Sequence, residues 1–260
     1  MTKPDSSLDL VYPGPIVRAE VTVVAFLGSS STAGKGQAFD WIGELERRPR
    51  NKGFRFHNFG VGGDLAYNAL QRLPDVLSCR PEKVVVWVGA NDVLALVSRK
   101  VRRFFRIWKH LPSEPSPEWF RENLRAIARR IKAETSATVA LCSLPPIGED
   151  PVSVNPFQSE LNRRIGEYSA TIEEIGRDED IGYIAIHEAM LAQILASPGR
   201  ALTHFRFLSF YRDTFRVLAL HKSPDEVAQM NGWRFHTDGV HLNSRGGMIV
   251  ADLVQEFIDR

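Results

Sequence analysis

Residues 21–34, Val21-Thr22-Val23-Val24-Ala25-Phe26-Leu27-Gly28-Ser29-Ser30-Ser31-Thr32-Ala33-Gly34, decide the fold. From Val21 to Leu27 the run is β-branched, aromatic or aliphatic with almost no polar alternation. A strand covered on both faces reads this way, and such strands belong to parallel sheets. The run stops at Gly28 and small hydroxyl residues follow, the composition of a tight turn from a strand into a helix.

The same alternation continues outward along the chain. Phe39 to Leu45 has helical spacing, Phe54 to Phe59 is a short strand, and Asp64 to Leu77 is a helix that ends near Cys79-Arg80-Pro81. Lys83 to Val88 is a third strand closing at Gly89. Ser116-Pro117-Glu118 combines an N-cap, a proline at the first helical position and an acid, predicting a helix to about Glu134. Ala137 to Leu144 and Ile181 to Ile186 are the fourth and fifth strands, with a helix over Asn155 to Ile175 between them. The last helix carries the stripe Val250, Leu253, Val254, Phe257 and Ile258.

Strands separated by helices predict an α/β protein: a single-domain, doubly wound, flavodoxin-like five-stranded parallel sheet flanked by helices. The domain is expected over residues 20–260, after an N-terminal extension over 1–19. Two stretches exceed what the sheet needs and are expected to form helical caps, at 93–115 and 200–225. In the first, Val97, Val101, Phe104, Phe105 and Trp108 share a helical face, and Arg99, Arg102, Arg103, Arg106 and Lys109 occupy the rest. Ligands in such folds bind beyond the carboxyl ends of the strands, after Leu27, Phe59, Val88 and Leu144.

Composition narrows the function. The 260 residues are 43% hydrophobic and 25% charged, enough apolar material for a sizeable core, and the formal net charge of +2 argues against a nucleic-acid partner. Cys79 and Cys142 form no CxxC pair and no zinc spacing surrounds them. Met1 to Leu10 carries Asp5 and Asp9 without an apolar h-region, and no stretch approaches membrane-spanning length, so the expected address is the cytoplasm.

Four turns carry chemistry. Gly28-Ser29-Ser30 puts a hydroxyl at a helix N-terminus, where N–H groups favour negative charge. Gly60-Val61-Gly62-Gly63-Asp64 lets the backbone approach a ligand and present its N–H groups. In Gly89-Ala90-Asn91-Asp92 an amide N–H₂ follows a strand, able to point at a developing oxyanion. Asp238-Gly239-Val240-His241 sets a carboxylate three residues before an imidazole, close enough to fix its tautomer. Each alone reads more readily as a capped turn or a surface turn than as a site.

Taken together and in this order, the four resemble the SGNH hydrolases, the GDSL esterase/lipase family, from about Val21 to the end. The resemblance implies a serine hydrolase of carboxylic esters, with nucleophile Ser30, base His241 and orienting Asp238. It implies an oxyanion hole from Ser30, Gly63 and Asn91, and neither metal nor organic cofactor. One departure stands out: the family's usual Asp before the nucleophile is Ser29 here. In the run of three serines, spacing from Gly28 favours Ser30 over Ser29 and Ser31.

The expected substrate is a small-molecule ester of short or medium acyl length, with lysophospholipids among the candidates. A carbohydrate O-acetylesterase or an acyltransferase on the same triad is the alternative. Outside catalysis, helix 99–109 suits a peripheral binder of an anionic membrane. A phosphate-binding loop at Gly28 to Lys35 has one residue too many between its glycines, and Gly36 stands where the hydroxyl belongs. A metal site at His236-x-Asp238-x-x-His241 lacks a further ligand cluster, and the GxSxG elbow of α/β-hydrolases is absent.

Overall fold

The computed structural model describes residues 21–205 and 207–260, with side chains left undescribed at 207–211. The expected extension over 1–19 lies outside the described residues. Val21 is followed by β1 (Thr22–Gly28), whose residues Val24 to Leu27 are fully buried, as a continuous apolar run demands. Next come α1 (Ser30–Ala33), α2 (Trp41–Arg47), a 3-10 turn over Pro49–Asn51 and β2 (Phe54–Gly60). Asp40 caps α2 by accepting from Gly43 N at 3.0 Å.

The helix expected over Asp64 to Leu77 is two helices, α3 (Ala66–Gln71) and α4 (Leu73–Ser78). Pro74 accounts for the break: it sits in the first turn of α4 and has no N–H with which to continue α3. Then follow β3 (Lys83–Trp87), α5 (Ala90–Val97), α6 (Arg99–Trp108), α7 (Pro117–Glu134), β4 (Thr138–Cys142) and α8 (Pro156–Asp178). Ser98 separates α5 from α6 and caps the latter, with Oγ 3.4 Å from Val101 N. The fifth strand, β5 (Gly182–Ile184), is shorter than Ile181 to Ile186 because Ile186 already begins α9 (Ile186–Ala196). The chain closes through α10 (Phe207–Leu218), α11 (Pro224–Asn231) and α12 (Ser244–Ile258).

All five strands run parallel, in the order β2-β1-β3-β4-β5. The chain steps from β1 to β2 on one side and returns to β3 on the other, so order reverses at β1. Ser30 follows β1 and Asn91 follows β3, which puts both turns at the crevice where this fold opens its strand ends. Beneath them the core is aromatic: Phe26 meets Trp41 edge-on with centroids 5.2 Å apart, and Trp41 meets Trp87 at 5.9 Å.

Candidate active site

Each side chain of the site hangs from the end of a strand or the turn before a helix. Ser30 opens α1, so its N–H lacks an intrahelical acceptor by position and its Oγ stands at the positive end of the turn. Ser29 is the buried N-cap, and its hydroxyl makes no capping bond. Asn58, at the end of β2, locks α1 in place: its Nδ2 donates to Thr32 O at 2.9 Å and its Oδ1 accepts from Gly60 N at 2.9 Å. Only a glycine fits at position 60, since a Cβ there would overlap the backbone of Thr32 and Ala33.

Between α11 and α12 the chain turns tightly on Asp238. Its Oδ1 accepts from Val240 N at 2.9 Å and His241 N at 2.8 Å, while Oδ2 lies 2.8 Å from His241 Nδ1. His241 Nε2 is 2.9 Å from Ser30 Oγ. Burial alone would raise the Asp238 carboxyl, but the His241 charge and the converging N–H groups hold it below its ordinary value. Burial likewise opposes charge on His241, and the Asp238 carboxylate overrides it, raising the imidazole above its ordinary 6.5. An ionised Asp238 can only accept, so neutral His241 carries its proton on Nδ1 and offers Nε2 to the serine hydroxyl.

The Asn91 side chain is buried and aimed by Asp64, whose carbonyl accepts from Nδ2 at 2.9 Å. One amide hydrogen is thereby used and the other is left for a ligand. Asp64 is itself pinned. Its carboxylate takes Arg72 Nε at 2.8 Å and Lys109 Nζ at 2.8 Å, and Arg72 also donates to Phe59 O at 3.0 Å and Gly28 O at 3.3 Å. One arginine therefore ties the ends of β1 and β2 to the turn that carries Gly63 and orients Asn91. Gly63 has φ +77 and lies under Trp108 of α6, with no space for a Cβ.

Ser30, Asn91, Gly62, Gly63 and His241 face a cavity of about 470 Å³. Its walls are apolar: Leu94, Phe104, Phe105, Trp108, Phe205 and Val240. Both stretches expected to cap the site contribute, through α6 and through Phe205. The basic face expected on α6 is partly something else. Lys109 is a partly buried partner of Asp64, and Arg102 donates to Ala95 O at 3.0 Å. Arg99, Lys100, Arg103 and Arg106 are the exposed cations, beside exposed Ile107 and Trp108.

His236, weighed as a metal ligand, points away from His241. Its Nδ1 lies 2.9 Å from Glu149 Oε1 and its Nε2 2.9 Å from Pro146 O. Glu149, fully buried on the β4–α8 loop, also accepts from the N–H groups of Phe235 at 2.7 Å and His236 at 3.0 Å. Among the described residues no three His, Cys, Asp or Glu side chains are placed to share a metal. Sequence reading missed Glu149 and Arg72 and took Lys109 for a solvated cation; it placed Leu94 and Phe205 only within the expected cap stretches and Val240 only within the turn before His241. The Gly60 to Asp64 turn already contained Asp64, though nothing in it signalled an ion pair with a cap helix.

A family model described as GDSL-like Lipase/Acylhydrolase matches residues 26–247. The chain belongs to the GDSL-like lipase/acylhydrolase family. Ester hydrolysis is the chemistry of this GDSL-like chain. A search of curated proteins returns no match. Among solved structures, the chain is similar to the acetyl xylan esterase AlAXEase at 21% identity and TM-score 0.60, covering 91% of this chain and 99% of that one. It is also similar to a lipase/acylhydrolase from Enterococcus faecalis at 21% identity and TM-score 0.57, covering 92% and 95%. The acetylxylan esterase Axe2 from Geobacillus stearothermophilus matches at 17% identity and TM-score 0.62, covering 94% and 97%. At these identities the likeness is one of fold, and the GDSL-like fold carries many substrates. Among the described residues no helix is long and apolar enough to cross a membrane.

Proposed function

We propose that this protein hydrolyses carboxylic esters of medium acyl length through an acyl-enzyme on Ser30. The observation that carries the reading is the line Ser30 Oγ, His241 Nε2, His241 Nδ1, Asp238 Oδ2, with contacts of 2.9 and 2.8 Å, opening onto an apolar cavity. His241 Nε2 takes the hydroxyl proton as Ser30 Oγ attacks the acyl carbonyl. The resulting oxyanion is received by the N–H groups of Ser30 and Gly63 and the second Nδ2 hydrogen of Asn91. Collapse expels the alcohol, which takes the proton from His241. Water, deprotonated by the same imidazole, then attacks the acyl-enzyme and releases the carboxylic acid. Asp238 stays ionised throughout and stabilises the imidazolium.

Acyl length follows from the cavity. Aromatic and aliphatic walls reward methylenes at about 0.8 kcal/mol each when buried, whereas an acetyl group would leave most of the space unfilled. Hydrolysis of p-nitrophenyl esters of graded length tests this. The reading expects kcat/KM to climb from acetate to hexanoate or octanoate and to collapse in Ser30→Ala. A maximum at acetate, with activity on acetylated xylan, would favour instead the carbohydrate O-acetylesterase reading that the names of two structural relatives suggest. Transfer of the acyl group to an added alcohol in preference to water would favour an acyltransferase.

Exposed Ile107 and Trp108, next to Arg99, Lys100 and Arg103 on α6, support contact with an anionic lipid surface at the mouth of the cavity. Flotation with anionic vesicles at low salt, lost on Arg99/Lys100/Arg103 charge reversal, is the expected result; no flotation of the wild type removes the contact. The two free thiols, with the Cys142 thiol pushed up by burial, fit the cytoplasmic address.

A further inference from the structure

An ester has two sides, and the apolar cavity accounts for one. A second hollow of about 340 Å³ is bordered by Arg200, His204, Arg212, Asn231 and Trp233, and by Asp238 and Val240 of the triad loop. Phe205 and Val240 border both spaces and so form a wall common to them, and Val240 is the residue before His241.

The chemistry of this second space differs from that of the first. Arg200 and Arg212 converge on one residue: Arg200 Nη1 donates to Asn231 O at 2.7 Å, and Arg212 Nη2 reaches Asn231 Oδ1 at 3.5 Å. The Arg200 guanidinium also lies over the Trp233 ring, 5.5 Å from its centroid. A guanidinium has five N–H donors in a planar fork, so these bonds leave donors for an incoming oxyanion. The nearby carboxylate Asp213 is buried and divided among Arg212 Nε at 3.2 Å, Arg216 Nη1 at 2.9 Å and Asn231 Nδ2 at 2.9 Å. It does not border the hollow. Asp238 does, but its charge is committed to His241. Among the described lining residues the balance is thus positive, with two exposed arginines gathered at Asn231 in a hollow that also borders Asp238 and Val240.

We infer that this hollow is the alcohol-side subsite and that it takes an anionic oxygen group, phosphate or carboxylate, borne on the alcohol of the ester. The inference rests on the serine-hydrolase reading above, since only that reading sets the scissile bond between the two spaces. The preferred substrate then has an apolar acyl chain at one end and a charged, polar alcohol at the other. Arginine pairs recognise both anions through bidentate contacts.

Four esters of one acyl chain test it: 1-hexanoylglycerol, its 3-phosphate, the hexanoyl ester of glycerate, and p-nitrophenyl hexanoate. The expected result is kcat/KM at least about tenfold higher for an anionic ester than for 1-hexanoylglycerol, mainly through KM. Whether the phosphate or the glycerate ester gains more tells which anion the subsite suits. That ratio is expected to fall to within about twofold of unity in Arg200→Gln and in Arg212→Gln. Because the measure is a ratio within each variant, a loss of folded enzyme does not imitate it, and Arg212 is half-exposed. A wild-type ratio at or below unity for both anions, or a ratio that survives both substitutions, overturns the subsite. Cleavage of p-nitrophenyl hexanoate without any anionic preference overturns the subsite alone. No cleavage of any of the four overturns the serine-hydrolase reading and the subsite with it.

Discussion

As the proposed base, His241 has to be neutral to accept a proton, and Asp238 makes that harder while favouring the imidazolium. The raised His241 value fixes the direction of the pH dependence: kcat/KM should climb with pH along an acid limb whose midpoint lies above 6.5. A pH profile flat from 5 to 8 would remove His241 as the base. Asn91→Ala takes one donor from the oxyanion and should lower kcat roughly a hundredfold or more with little change in KM. An equal rise in KM would mean that Asn91 serves ground-state binding instead. Asp92, beside it, is buried with a bond from Ala66 N at 3.2 Å, and burial pushes its carboxyl up to about 7. Between 3.8 and about 7 the native chain therefore keeps a proton that the unfolded chain has lost. Stability falls as pH rises through that window, by roughly 4 kcal/mol at most. Asp92→Asn escapes this loss, so its stability relative to wild type in urea should improve from pH 5 to pH 8; a constant difference would contradict the burial argument. Of these residues, Ser30, Asn91, Asp238 and His241 were visible as turn motifs, because each sits where a strand or turn ends and local sequence announces such ends. The value of Asp92 was invisible, since it depends on what packs over it.

At the scale of elements, α6 does two jobs. Its Phe104, Phe105 and Trp108 wall the cavity that Ser30 faces, and Trp108 and Lys109 press on the Gly63 turn. Trp108→Ala should therefore move the optimum of the p-nitrophenyl series to longer chains; an unchanged optimum would place the acyl chain elsewhere. The apolar face of α6 was legible from its spacing, but Lys109 read as one more cation on a solvated face. Its partner, Asp64, lies 45 residues away, and a pairing at that distance leaves no periodicity in the sequence. The clamp between Glu149 and the 234–236 backbone is similar, spanning 86 residues to Phe235. Replacing Glu149 by Leu strands several buried donors and should cost about 3–5 kcal/mol in stability, read as a lower urea midpoint. A midpoint within error of wild type would mean that the loop carrying Asp238 and His241 is held by other contacts.

Across the whole molecule, strand order does the assembling. Apolar runs marked β1, β3 and β4, which are largely buried, while β2 and β5 are the less buried edges; alternation with helices implied a parallel sheet, and the order β2-β1-β3-β4-β5 then brings the ends of β1 and β3 together. Ser30 and His241 are 211 residues apart in sequence and 2.9 Å apart in space. That meeting rests on α12, which packs against α2 and β5 and carries the preceding loop to the crevice. Element boundaries were less legible where a proline or cap cut a periodic pattern, as at Pro74 and Ser98. The two spaces that share Phe205 and Val240 were not legible at all, because their walls come largely from 94–108 and 200–240 and meet only after folding.

The central claim, a nucleophilic Ser30, is tested most directly by inactivating the protein with an alkyl fluorophosphonate and mapping the adduct by tandem mass spectrometry. The account predicts one phosphonyl group per chain, on Ser30, and none in Ser30→Ala or His241→Ala. An adduct on Ser29 or Ser31, or hydrolytic activity that persists with no adduct formed, would contradict it.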